Sequence, residues 1–470
     1  MSQIVDENKP AIGFWSVFCL TIGSMVGTGI FIFASAVTSL LMNSSLVIFS
    51  FILGSVVSVS GAICLGELVA GNPHPGGLYH QFKTAFGPAV GFLFAWTRFF
   101  CIRIGTIGLI ALAVAGYFCD LMDIPTEITD DIRRPLAVLS ICMITFINIL
   151  GIRSGIKFQI IFTIPKILCL TAIAGLGCMA NILSLPDGDV FIADVFVIPD
   201  SASVFKILSL LLSSMIPVMW SLGGWEDVAG VAGEIKNPEI HIPKAIAIGV
   251  LFTSVLYLMV MFTYLSLLNP EEMARPENTA SITFSKYFGP YWSNSMSAFL
   301  ICIGLTSLNT TILTGARIPG NAGRDHLIFK WAVKTSTKTS VPQKSLLVQG
   351  GGAILLVCLC DNLNALLLWI GAPYWFFSML LGCACLKLCQ HTSKEHKVFP
   401  RFMFNPAATI FILFSVCMLI VVSVQNIMYL FVFFVVILAG LFAYNLQFWI
   451  EHRFEHPKSD NRNFHVDKNS

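Results

Sequence analysis

The stretch Ile22-Gly23-Ser24-Met25-Val26-Gly27-Thr28-Gly29-Ile30-Phe31 places three glycines within seven residues, in the middle of an apolar run. Around it, no Asp, Glu, Lys or Arg occurs between Lys9 and Glu67. A helix needs about 20 apolar residues to cross a bilayer, so this interval holds two spans joined by the turn Asn43-Ser44-Ser45. The glycines then interrupt a helix at mid-depth, where freed N–H and C=O groups must be met by protein, water or ligand. A second interruption, Trp220-Ser221-Leu222-Gly223-Gly224-Trp225-Glu226-Asp227, falls five spans later. Helix breaks at matching positions of two halves point to a transport site, with N–H groups taking a carboxylate and carbonyls taking an ammonium. A zwitterionic amino acid meets both needs. The competing reading is that small residues merely let helices pack closely.

The rest of the chain fits that frame. Its 470 residues are 56% hydrophobic and 11% charged, with a mean hydropathy of +0.80, which excludes an ordinary soluble protein. Spans are expected at 11-41, 46-70, 88-118, 134-152, 158-181, 204-233, 243-268, 290-316, 345-360, 363-387, 403-424 and 427-450, giving an all-α membrane protein of twelve transmembrane helices. With the N-terminus inside, Arg133, Arg134, Arg275 and Lys286 are the basic residues in outer loops, and the inner loops hold most of the other Lys and Arg. The positive-inside rule therefore places both termini in the cytoplasm. Asp6 and Glu7, with no basic cluster, argue against a cleaved signal peptide. The scattered basic residues give no nucleic-acid patch. The cysteines lie mostly in apolar runs without a CxxC, so they read as packing residues rather than metal ligands.

Charges inside spans are costly and so informative. They are Arg98 and Arg103 in span three, Lys166 in span five, and Lys206, Glu226, Asp227 and Glu234 along span six. Lys206 can snorkel outward and Glu234 lies beside Lys236, so neither needs a function. Arg98 and Glu226 sit at similar depth from the inner side and are expected to pair as an inner gate; a purely structural ion pair and a wet vestibule are the alternatives.

Three motifs carry a family resemblance over nearly the whole chain. They are the span-one glycines; Gly66-Glu67-Leu68 through Pro75-Gly76-Gly77-Leu78-Tyr79 to Phe86-Gly87-Pro88 and Trp96; and Trp220 through Gly233-Glu234-Ile235-Lys236-Asn237-Pro238 to Ile242-Pro243. A weaker fourth is Ala316-Arg317 with Gly323-Arg324-Asp325. The chain resembles the amino acid, polyamine and organocation superfamily, close in layout to bacterial amino acid permeases and arginine/agmatine-type exchangers. The resemblance implies a LeuT-like fold of two inverted five-helix repeats, 11-181 and 204-387, with broken helices one and six, two peripheral helices at 403-450, and tails at 1-10 and 451-470. It places a carboxylate cradle on Gly27, Thr28 and Gly29, ammonium-binding carbonyls on Met25, Trp220 and Gly223 beside Ser221, and an aromatic gate on Trp220. Glu226 falls on an acidic gate position whose span-three partner is usually tyrosine; here it is Arg98, a departure that bears on substrate charge. Lys166, in Phe162-Thr163-Ile164-Pro165-Lys166-Ile167, resembles a built-in substitute for sodium and is a candidate coupling group, or else a fixed fastener of span five to span one. Thr106, Ile102, Asn309, Thr310 and Trp375 are candidates for side-chain selectivity.

The implied function is secondary amino acid transport by alternating access, as exchanger or proton symporter, in a bacterial cytoplasmic membrane and without cofactor or metal. A transporter-like sensor without net flux and a polyamine or amine exchanger are the alternatives. No HExxH occurs and there is no Walker-type loop, which argues against a membrane enzyme and against ATP drive. A glycoprotein heavy subunit is not expected, since Cys119 is offset from the loop position such a partner uses.

Overall fold

The computed structural model describes residues 13–74, 76–150, 165–176, 203–274, 279–333, 341–360, 363–389, 398–425 and 427–455. Its regular elements are helical. Among the described residues nine helices are long and apolar enough to cross a membrane, or ten when the bent pair α1 (Phe14–Met25) and α2 (Gly29–Leu41) is taken as one span. The protein is thus an integral, multi-pass membrane protein. Of the span expected at 158-181, residues 165–176 are described, as the apolar helix α8 (Pro165–Leu176), and the span expected at 345-360 is the apolar helix α16 (Gln343–Leu359). The expected tail 1-10 and most of the expected tail 451-470 lie outside the described residues, as do Asp187 and Asp200, but 451–455 are helical rather than part of a tail.

Local sequence explains where the elements begin. Asn43, in the turn between the first two spans, caps α3 (Ser44–Gly71) by accepting the Leu46 N–H at 2.9 Å. Pro88 and Pro238 open α5 (Pro88–Thr97) and α10 (Pro238–Leu267), where a missing N–H costs nothing. After α4 (Gly77–Phe86) and α5, span three passes through a π-helical turn, Arg98–Arg103, into α6 (Ile104–Leu121). Span four is α7 (Thr126–Leu150). Span six is α9 (Val204–Ser221), and beyond its break it continues as a 3₁₀ segment, Trp225–Glu234, rather than the α-helix that hydropathy suggests. Short helices α11 (Pro270–Met273) and α12 (Thr279–Phe288) precede α13 (Pro290–Gly315), with α14 (Arg317–Ala322) and α15 (Lys330–Val333) before α16. Helices α17 (Leu363–Cys389), α18 (Arg401–Gln425) and α19 (Ile427–Glu455) are the last of the described elements.

Burial ranks these spans from centre to rim. The apolar part of the span-three helix Pro88–Leu121 is 83% buried, whereas that of Ile427–Ile450 is 17% buried and turns Phe431, Leu438 and Phe442 outward. A strongly apolar helix exposed this far belongs against lipid. In the interior, α3 packs on α10, α6 on α13 and α7 on α16.

On the side of the basic loops, Asp325 ties two connections together by accepting from Tyr79 Oη at 2.7 Å and Lys83 Nζ at 2.8 Å. The adjoining His326 ring lies edge-on to Phe92, and its Nδ1 accepts the Gln447 amide at 2.8 Å. Burial, only partly opposed by Asp325, pushes this imidazole down to about 4. The ring therefore folds neutral and resists a proton that the unfolded chain takes up near the ordinary histidine value of about 6.5. Its contribution to stability is complete above that value and is lost as pH falls toward 4. The thermal midpoint in detergent is expected to drop between pH 7.5 and pH 5, with a visibly shallower drop in His326→Gln; equal slopes would remove His326 from the account.

Candidate substrate site

The two helix breaks meet. Helix α1 ends at Met25, Val26 is extended, and α2 restarts at Gly29 with the axis bent by 44°. Facing it, α9 ends at Ser221 and Gly224 adopts φ +96°. A Cβ at Gly29 would lie 2.8 Å from Ser221 Cα, and one at Gly224 would lie 2.6 Å from the Ser24 carbonyl. The contacts are reciprocal, since the start of α2 rests on the end of α9 while the segment after the second break rests on the end of α1. The glycines are therefore demanded by two backbones in contact, which is more specific than general close packing.

Two side chains brace the break. Tyr257 Oη donates to the Met25 carbonyl at 3.0 Å, and Lys166 Nζ donates to the Val26 carbonyl and to Ser307 Oγ, both at 3.4 Å. Lys166 is 1% exposed. The first N–H groups of α2 have no carbonyl in their own helix to bond, and the helix dipole there favours an anion. The ends of α1 and α9 carry the opposite polarity. One end of the site thus suits a carboxylate and the other an ammonium.

A cavity of about 130 Å³ opens at this junction. Met25, Gly27, Thr28, Gly29, Trp220, Ser221, Gly223, Thr106, Thr310, Ile102, Trp375, Arg98 and Glu226, all singled out from sequence, line it. Lys166 stands behind the break rather than in the wall. Asn309 is displaced from its expected role: its carbonyl accepts the Asn148 amide at 2.8 Å, fastening α13 to α7. The Met25 carbonyl, expected to meet an ammonium, already accepts from Tyr257. Sequence reasoning missed Tyr257, Ser307 and Tyr374, neutral side chains whose place becomes apparent only once the helices are assembled.

The floor is charged. Arg98 reaches Glu226 Oε1 with both terminal nitrogens at 3.4 Å and Asp227 Oδ1 at 3.0 Å. The expected Arg98–Glu226 contact is present, but Asp227 is the closer acid, and Arg103 also pairs with it. Glu226 Oε2 accepts the Gly224 N–H at 3.1 Å, which fixes it to the break. All four charged side chains line both this cavity and a second one of about 70 Å³ bounded by Gly77, Tyr79, Arg317 and Asn321. They form the partition between the two. Removing one partner from such a buried cluster costs about 3–5 kcal/mol.

The π-turn is what brings both arginines to the partition. Residues five apart on an α-helix point about 140° away from one another, whereas a π-turn closes its hydrogen bonds over five residues and nearly aligns them. Read as an α-helix, span three sends Arg98 and Arg103 to different faces, so their partnership was not legible. The count alone, two basic and two acidic residues at similar depth, was the available signal.

A sequence profile described as amino acid permease matches residues 12–442. The chain belongs to the amino acid permease family. The permease is 24% identical over 396 residues to b(0,+)-type amino acid transporter 1 of Mus musculus, covering 83% of this chain and 79% of that one. It is 26% identical over 311 residues to the serine/threonine exchanger SteT of Bacillus subtilis (strain 168), covering 66% and 67%. Over 375 residues it is 25% identical to large neutral amino acids transporter small subunit 2 of Oryctolagus cuniculus, covering 78% and 68%. The permease is accordingly a secondary amino acid transporter.

Proposed function

We propose that the permease exchanges amino acids across the membrane by alternating access, with the substrate held where the two breaks meet. The observation that carries this is the cavity bounded by both breaks and floored by the charge cluster. Gly27, Thr28 and Gly29 take the carboxylate, Trp220, Ser221 and Gly223 border the ammonium, and Trp220 closes from outside. Thr106, Thr310 and Trp375 line the side-chain end. Arg98 and Glu226 belong to the inner gate, and Lys166 holds the first break as the coupling group.

Two inverted five-helix repeats within twelve spans are supported by α3 packing on α10, α6 on α13 and α7 on α16, each pair five spans apart. The distribution of basic residues supports cytoplasmic termini, in a bacterial cytoplasmic membrane. Exchange is preferred over proton symport because a Bacillus relative bears the name of an exchanger. Cys119 is 2% exposed, which supports a permease working without a disulfide-linked heavy subunit.

The test is uptake of radiolabelled amino acids into proteoliposomes of purified protein. Preloading the vesicles with unlabelled amino acid is expected to raise the initial rate at least fivefold. Stimulation by an inward proton gradient in place of preloading would establish symport, and binding without accumulation under any condition would replace transport by sensing.

A further inference from the structure

Opening the partition requires Arg98 to withdraw from two adjacent acids at once. Glu226 would keep one partner, the Gly224 N–H at 3.1 Å. Asp227 would keep one only through Arg103, the second guanidinium on its Oδ1. Arg103 is 7% exposed, pairs with no acid but Asp227 among the described residues, and has a buried Nε without a partner. Arg98, by contrast, bridges both acids and also borders a third cavity, of about 20 Å³, beside Glu226 and Tyr374. A carboxylate stripped of its last partner in a poorly hydrated wall is strongly disfavoured, so without Arg103 the closed arrangement would hold Arg98 in place.

We propose that Arg103 is the resident counter-ion of the inner gate: it keeps Asp227 paired throughout the cycle and so frees Arg98 to open and re-form the partition. Arg103 is a positioning residue, acting through Asp227 rather than on substrate. The proposal rests on the transport reading above. It also changes which double substitution is informative. Exchanging Arg98 and Glu226 would put a glutamate beside Asp227, so failure of that swap would not bear on pairing; Arg103 with Asp227 is the pair to neutralise together.

The test compares wild type, Arg103→Gln and the Arg103→Gln/Asp227→Asn double variant, using tritiated L-serine, L-leucine and L-arginine as probes. Equilibrium binding is measured in detergent and exchange in preloaded proteoliposomes. Arg103→Gln is expected to keep its apparent Kd and KM within about threefold while the maximal exchange rate falls at least tenfold, because a shut gate slows turnover without altering the cradle. The double variant is expected to regain at least a third of the wild-type rate. A wild-type rate in Arg103→Gln, parallel loss of binding and exchange, or a double variant no faster than the single would each overturn the proposal.

Where Arg103→Gln is not recovered as monodisperse protein, Arg103→Lys and the Arg103→Gln/Asp227→Asn double variant carry the test, since neither leaves an unpaired charge at the gate. Both are expected to exchange at a third of the wild-type rate or better, and inactivity of either with binding intact would overturn the proposal. A wild type that binds a probe but exchanges none of the three overturns the transport reading and this proposal with it. Indifference of Arg103→Gln alone overturns only this one.

Discussion

Gly224→Ala is expected to reduce the initial rate of amino acid uptake to a tenth of wild type or less, while Gly230→Ala, six residues on in the same segment, leaves it unchanged. Two costs combine at Gly224. Its φ of +96° lies where a side chain is strained, by about 1–2 kcal/mol. Its Cβ would also stand 2.6 Å from the Ser24 carbonyl, which belongs to the last turn of α1 and cannot yield without moving the first break. At Gly230 nothing lies within 4 Å of the added atom. Each 1.4 kcal/mol against the transport-competent geometry is about a factor of ten, so the two terms together exceed that factor. Uptake by proteoliposomes, normalised to monodisperse protein, decides the matter; equal rates for both variants would mean that the contact between the breaks is dispensable.

Lys166→Met is expected to separate transport from stability. The ammonium is almost fully enclosed and meets two neutral oxygens at 3.4 Å, with no carboxylate within 4 Å among the described residues. An ion held so loosely contributes little to the fold, and a hydrophobic side chain of similar volume in its place is often neutral or stabilising. The thermal midpoint in detergent should therefore stay the same or rise. Uptake should fall at least tenfold, because the span-one break loses the charge that joins it to α8 and α13. A lower midpoint with proportionate loss of uptake would instead make Lys166 a fastener. Wild-type uptake should also be indifferent to replacing sodium by choline, as the substitution of an ammonium for a bound cation requires.

How far these residues could be read before folding depends on the kind of signal each emits. Helix breaks are legible because three glycines in an apolar run have few other uses, and both breaks stand where they were expected. Lys166 was legible because a charge in a span is costly. The 3₁₀ segment after Gly224 was not, since Trp225–Glu234 follows a break in an apolar span with no residue that by itself selects 3₁₀ over α, and the turn at Gly224 redirects the chain. Asn309 shows the opposite failure. It lies beside Thr310 in sequence, but neighbours on a helix point about 100° apart, so Thr310 faces the cavity while Asn309 faces Asn148. Arg103 and Asp227 were visible as charges but not as partners, because assigning them required the local helix geometry.

The π-turn at Arg98–Arg103 also bears on how this permease can be aligned with its relatives. Such a turn accommodates about one residue more than an α-turn, so the helix beyond it is rotated by roughly 100° from an uninterrupted course. A relative whose third span lacks the extra residue would match this chain before the turn or after it, but not on both sides without a one-residue gap. Correspondence between Arg98 and a tyrosine at the same column is thus a statement about where that gap is placed. Scoring the segment from Trp96 to Thr106 with the gap moved one position at a time, and asking which register keeps Thr106 on the cavity face, is the way to transfer residue roles across this family.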